Sequence, residues 1–184
     1  MKAYQFADPA KSLELKDLPV PEPGPEQVLI AAEAAGLCHT GFHTIRGRGD
    51  AWIEEKPMTL GHEVAGVVAE LGAGVLSIRM GDEVVVAQVA QPVRQTDWPK
   101  GIGMGYGGSY AEYALAYLEC VVTIPDGVSF AQAAVATDSV TTAYRAVVAE
   151  ACVTASMAIA VVGSGGLGMN CRNCCAARSH GVWT

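Results

Sequence analysis

The sequence predicts a mostly β fold with an α/β end, on three observations. Its first two thirds break into short apolar or alternating runs separated by Gly and Pro, the pattern of many short strands in a barrel or sandwich. After Pro125-Asp126-Gly127 the pattern turns helical, with a capping signal in Ser129 and Gln132. An apolar run over 157–162 then leads straight into Gly163-Ser164-Gly165-Gly166-Leu167-Gly168, which reads as a strand and a tight turn opening a helix.

In chain order, strands are expected over residues 3–6, 13–18, 28–32, 64–70, 83–89, 110–114 and 121–124. Between the second and third, Pro19-Val20-Pro21-Glu22-Pro23-Gly24-Pro25 can be neither helix nor central strand, because alternate residues lack an amide donor and have a fixed φ. It is a stiff surface connection. Two helices are expected over 131–136 and 140–150, and residues 157–162 form a buried strand. Cys171, Cys174 and Cys175 fall at i, i+3 and i+4 of the final helix, on one face, where small apolar side chains pack beneath a sheet. One C-x-x-C without a second pair lacks the four ligands of a closed metal site. Residues 1–128 are expected to form one domain, and residues 129–184 a helical connection with the start of a second.

Composition narrows the function classes. A chain of 184 residues, 51% hydrophobic and 17% charged, can bury a core. Net charge of −7 without a basic run argues against a nucleic-acid surface, which needs clustered Lys and Arg. The N-terminus lacks a signal-peptide layout, and no run reaches the roughly 18 apolar residues that span a bilayer. The expected location is the cytoplasm, with neither nucleic acid nor membrane as partner. Cysteines 38, 120, 152, 171, 174 and 175 are irregularly spread, which fits reduced thiols better than a disulfide framework.

Chemistry concentrates at two places. Cys38 and His62, with Glu63 beside the histidine, offer a thiolate and an imidazole to a catalytic zinc, which takes three protein ligands and leaves its fourth position to water or substrate. Either residue alone reads as a core side chain; the pair reads as ligands. Gly163, Gly165 and Gly168 satisfy G-x-G-x-x-G, in which the glycines permit a tight turn, close approach to a pyrophosphate and close helix–strand packing. Helix amides and dipole then face the phosphates. The acidic residue that contacts the adenosine ribose stands about 20 positions beyond the motif. That place lies past Thr184, so the motif implies NAD or NADP without choosing between them.

Gly36-Leu37-Cys38-His39-Thr40, Gly61-His62-Glu63-x-x-Gly66, Gly81-Asp82-Glu83-Val84, Gly108-Ser109-Tyr110-Ala111-Glu112-Tyr113 and the glycine turn occur in an order that resembles the zinc-containing alcohol dehydrogenases of the medium-chain dehydrogenase/reductase family. The resemblance runs over residues 1–168 and covers roughly half of a full member. It implies a GroES-like catalytic barrel followed by the first β-α unit of a Rossmann domain, with hydride passing between a small alcohol or aldehyde and NAD or NADP. By position, it makes Cys38 and His62 zinc ligands and Glu63 the acidic neighbour that approaches the metal as water exchanges. Asp138 stands where the family has a third ligand, usually cysteine; aspartate oxygen is a competent zinc ligand. Asp138 also reads as the N-cap of the helix that follows.

The resemblance further implies a proton relay through Thr40 and His43, nicotinamide packing on Thr142, and a pyrophosphate turn at Gly163, Gly165, Gly166, Leu167 and Gly168. Gly41 departs from the aspartate of the C-H-T-D pattern, a partner of the zinc histidine whose loss weakens metal binding by about 10- to 100-fold. Residues 88–107 contain no cysteine where members with a structural zinc carry four, so one catalytic zinc and no structural zinc is expected. The full-length form is expected to be a homo-oligomer. A lone strand and helix leave an unpaired sheet edge and an uncovered apolar face. This chain is therefore expected to bind zinc weakly and turn over little by itself. A zinc-free quinone-reductase-like enzyme and a noncatalytic GroES-like barrel are the other readings.

Overall fold

Val28, Ile30, Val64, Val84 and Val86 form the centre of the main core because each lies on a strand whose neighbours on both sides are also strands. The computed structural model describes residues 1–9, 11–49, 52–53, 55–88, 98–178 and 181–183. Its two compact units are Met1–Val135 and Ala136–Thr184.

In the first unit, β1 (Lys2–Phe6) pairs antiparallel with β2 (Glu14–Asp17) on one side and with β4 (Met58–Thr59) on the other. β3 (Gln27–Ala35), β5 (Val64–Leu71), β6 (Glu83–Val86), β7 (Tyr113–Tyr117) and β8 (Val121–Thr123) make a five-stranded antiparallel sheet in the order β7-β3-β5-β6-β8. β3 changes register against β5 between Leu29 and Ile30 and again between Ala32 and Ala34, and such irregularities bend and twist a strand. An isolated bridge between Ala3 and Ala111 links the smaller sheet to the chain leading into β7. Phe6, Met58 and Leu60 fill a second cluster with Tyr110 packed against them. α2 (Phe130–Val135) covers the sheet with Ala133 and Ala134, against Ala65 and Ile124.

The strand order along the sequence matches the expected runs, with two differences. The run expected at 110–114 is displaced to Tyr113–Tyr117, because residues 108–110 hydrogen-bond to Thr59, Leu60 and Gly61 instead of to β3. A short helix, α1 (His39–Ile45), and the two-residue β4 carry no periodic signal and were not expected. Residues 89 and 91–97, within the run expected at 83–89 and the turn-rich stretch after it, lie outside the described residues.

The second unit is mostly helical. Instead of two separate helices, a continuous helical run follows α2: a π-helical turn (Ala136–Val140), α3 (Thr141–Tyr144) and a second π-helical turn (Arg145–Glu150). The capping box forms upstream as expected: the Ser129 amide donates to Gln132 Oε1 (3.0 Å) and the Gln132 amide to Ser129 Oγ (3.3 Å). β9 (Ala158–Ala160) is shorter than the expected strand and is paired, parallel to β10 (Gly181–Trp183). α4 (Gly166–Ala176) packs Cys175, with Cys171 and Cys174 beside it, against Val147 and Val153. Among the described residues, no helix is long and apolar enough to cross a membrane.

Candidate metal centre and glycine turn

Antiparallel pairing of β3 and β5 places the end of one strand beside the start of the other: Ala35 pairs with Val64, and the Gly36 amide donates to the Glu63 carbonyl at 2.9 Å. Cys38 leaves the end of β3, while His62 and Glu63 enter β5 from the opposite direction. Residues 24 positions apart thus meet at one end of the sheet. Cys38 Sγ, a His62 ring nitrogen and a Glu63 carboxylate oxygen lie within 4.8 Å of one another.

Local structure holds each group. Cys38 is the N-cap of α1, with φ −87° and ψ 149°, and its sulfur accepts the Thr40 amide at 3.4 Å. The cap is therefore Cys38, and Thr40 sits inside the first turn. The Cys38 thiol also donates to the Thr40 hydroxyl at 3.5 Å. Gly61, at φ +100°, turns the chain from β4 toward His62, in a conformation that side chains resist. A Cβ there would stand 2.5 Å from Ser109 Oγ and 2.6 Å from the Tyr110 ring. A Cβ on Gly36 would overlap the Glu63 carboxylate.

The centre is dry. His62 is 5% exposed and Glu63 4% exposed. Burial pushes the Tyr110 hydroxyl up to about 12, with the nearby Glu63 and Cys38 charges adding to the shift. A cavity of about 940 Å³ opens beside Cys38, bordered by Leu37, Phe42, Ile45, Tyr4, Leu15 and Tyr110. The donors suit zinc: thiolate and imidazole are ligands for a borderline-soft ion, whereas calcium and magnesium prefer oxygen cages.

Thr40 and His43 are on α1, three positions apart and so on neighbouring parts of its surface. His43 Nδ1 is buried and has no hydrogen-bond partner among the described residues. Its ring lies 6.0 Å from the rings of His39 and Phe42.

In the second unit, Asp138 lies within the first π-helical turn, half-buried, and its Oδ1 accepts the Thr142 hydroxyl at 2.9 Å. The N-cap alternative for Asp138 does not hold, since the helix runs through it from α2. The glycine turn takes the shape its spacing requires. Gly163 has φ +92°, Gly165 is the N-cap of α4, and a Cβ on Gly168 would overlap the Gly163 carbonyl. Gly166 and Leu167 open the helix, whose first turn carries no acidic residue. Asn170, which sequence reasoning passed over, donates through Nδ2 to the Gly166 carbonyl at 3.0 Å and to Ser139 Oγ at 3.3 Å.

Residues 24–126 match the alcohol dehydrogenase GroES-like domain. The chain is 36% identical over 183 residues to an NAD-dependent alcohol dehydrogenase of Sulfurisphaera tokodaii, covering 90% of this chain and 52% of that protein. It thus spans about half the length of the curated relatives it matches. The fold superposes on an acetophenone reductase from Geotrichum candidum in complex with NAD, at TM-score 0.84 and 32% identity, over 98% of this chain and 56% of that one. It also superposes on a cobalt- and zinc-bound thermostable alcohol dehydrogenase from Pyrobaculum aerophilum, at TM-score 0.87 and 27% identity, over 99% and 57% of the two chains. With the family domain matched across more than half its residues and the sulfur, imidazole and carboxylate gathered at one end of that domain's sheet, this chain belongs to the zinc-containing alcohol dehydrogenases of the medium-chain dehydrogenase/reductase family, through their N-terminal portion.

Proposed function

We propose that this chain carries the metal- and proton-handling part of a zinc-dependent alcohol dehydrogenase acting between a small alcohol or aldehyde and NAD or NADP. The observation that carries this reading is the convergence of Cys38, His62 and Glu63. Cys38 and His62 are the two protein ligands from residues 1–128, Asp138 is the third, and Glu63 is the carboxylate that approaches the ion as a ligand exchanges. The ligand set is a single catalytic site; no structural zinc is assigned. Zinc bound there would act as a Lewis acid on the alcohol oxygen while nicotinamide accepts the hydride.

Every other role belongs to this chain's own residues. Thr40, in contact with the Cys38 sulfur, accepts the alcohol proton through its hydroxyl. His43, with a ring nitrogen lacking a partner among the described residues, carries that proton onward, a step suited to imidazole's near-neutral pKa. Leu37 and Phe42 give the cavity beside Cys38 an apolar border. Thr142 packs on the nicotinamide, and Gly163, Gly165, Gly166, Leu167 and Gly168 present backbone amides to the pyrophosphate.

Elemental analysis and equilibrium dialysis of the zinc-loaded chain test the reading. About one zinc per chain is expected. Cys38→Ser and His62→Ala should each weaken zinc binding by more than about 100-fold, beyond what loss of an outer partner causes. Asp138→Ala should weaken it less, and Asp138→Cys should strengthen it. No bound zinc in the unaltered chain, or equal binding by Cys38→Ser, would overturn the ligand assignment. NAD(P)H oxidation by a quinone that survives Cys38→Ser would favour the zinc-free quinone-reductase-like alternative.

A further inference from the structure

We propose that Tyr110 is a positioning residue for the metal centre, its ring acting as the spacer that sets the Cys38 segment and helix α1 against the His62–Glu63 segment. The inference rests on the ligand assignment above and goes beyond it, since Tyr110 is neither a ligand nor part of the relay.

The two metal-bearing segments each present a glycine to the same aromatic side chain. On α1, a Cβ at Gly41 would stand 3.3 Å from Tyr110 Oη and 4.0 Å from Cε2. On the opposite segment, a Cβ at Gly61 would stand 2.6 Å from Cδ1 and 2.7 Å from Cε1 of the same ring. The phenol therefore occupies the space that side chains at positions 41 and 61 would otherwise fill. With both glycines bare, the span of one ring from its Cδ1–Cε1 edge to its Oη and Cε2 atoms sets the separation of the Cys38 segment from the His62–Glu63 segment.

The ring is itself anchored. The Tyr110 amide donates to the Leu60 carbonyl at 2.9 Å, and the Tyr4 amide donates to the Tyr110 carbonyl at 2.8 Å. Ser109 adds two bonds to the ligand segment: its amide to the Gly61 carbonyl at 3.0 Å, and its hydroxyl to the Glu63 carbonyl at 3.4 Å. Tyr110 and Ile45 both pack against the buried cluster of Phe6, Ile53, Met58 and Leu60.

The test uses the 184-residue chain loaded with cobalt(II), whose visible absorption reports ligand geometry, together with zinc affinity by competition against a chelator. Tyr110→Phe keeps the ring and should leave the cobalt spectrum and the affinity within a few-fold of the unaltered chain. Tyr110→Ala should shift the cobalt bands and weaken zinc binding by about 10- to 100-fold, the range for loss of a supporting residue. Gly41→Ala places a methyl against the hydroxyl and should shift the bands in the same sense, although alanine favours the helix over glycine. Gly41→Ala combined with Tyr110→Phe removes the clash and should restore the spectrum, which a purely structural role of either residue would not produce.

Unchanged spectra and affinities for Tyr110→Ala and Gly41→Ala would overturn the inference while leaving the ligands in place. Equal loss in Tyr110→Phe and Tyr110→Ala would also overturn it, because the hydroxyl and not the ring would then be the agent. If Tyr110→Ala fails to fold, judged by circular dichroism, the Gly41→Ala pair decides. No cobalt binding by the unaltered chain would overturn the ligand assignment and this inference together.

Discussion

The apolar strand residues of the two units meet very different surroundings. Val28, Ile30, Val64, Val84 and Val86 of the first unit are each 0% exposed, whereas Ala158 and Ala160 of β9 are exposed and Val162, just after it, is 100% exposed. The runs look alike in sequence: both are short, apolar and rich in β-branched residues. A strand buries its side chains only to the extent that something covers each of its faces and pairs each of its edges. The five-stranded sheet supplies both for β3 and β5, while among the described residues β9 pairs with the short parallel β10, and α4 packs Cys175 against Val147 and Val153. The difference teaches that an apolar run identifies a strand without revealing how much stability its burial contributes.

The sharpest way to break that contrast is to cut into the core of the first unit. Ile30→Ala should destabilise the first unit by about 2 to 5 kcal/mol, the range for a buried Ile truncated to Ala. Denaturant unfolding followed by tryptophan fluorescence and circular dichroism would measure it, and a loss within about 0.5 kcal/mol would mean the sheet core is not what holds the unit together. Ser129→Ala removes one half of the capping box that starts α2 and should cost about 1 kcal/mol in the same assay.

A smaller effect should appear at alkaline pH. Burial pushes the Cys120 thiol up from its usual 9.0, with Glu119 adding to the shift and Lys100 opposing it. The unfolded chain then releases that proton before the folded one does, so stability falls as pH rises. The contribution is fully present below about pH 9 and is lost above it as pH rises through the folded value. Cys120→Ala should flatten this limb of the stability–pH curve, and Cys120 should resist alkylation under conditions where exposed Cys152 reacts. The smallest change is expected in the second unit. Val162→Ser should alter stability by no more than about 0.5 kcal/mol, because that side chain is already in solvent.

Much of the candidate centre was legible before any coordinates. Cys38, His62 and Glu63 were readable because thiol, imidazole and carboxylate are recognisable by type, and the glycine turn because its spacing encodes a backbone shape. Helix α1 was not readable: His39, Gly41, Phe42 and His43 carry no apolar period, and the helix starts where the Cys38 sulfur caps the Thr40 amide. The break expected between two helices was also wrong in detail. Asp138 and Ser139 have low helix propensity, yet the run passes through them as a π-helical turn, with the Asp138 carboxylate bonded to Thr142 one turn on. Tyr110 was visible only as part of a motif, since its value lies in what it touches at positions 41 and 61.

The order of residues along the chain was enough to specify which atoms can bind a metal, where the backbone must turn, and that short strands give way to helices. Those properties belong to single residues and near neighbours, so no folded partner is needed to state them. Which segments stand side by side was settled by the folded molecule: the β3–β5 ladder that closes a 24-residue gap, and the phenol ring held between two glycines. Both depend on packing between residues far apart in sequence, where the identity of each contact is set by every other one.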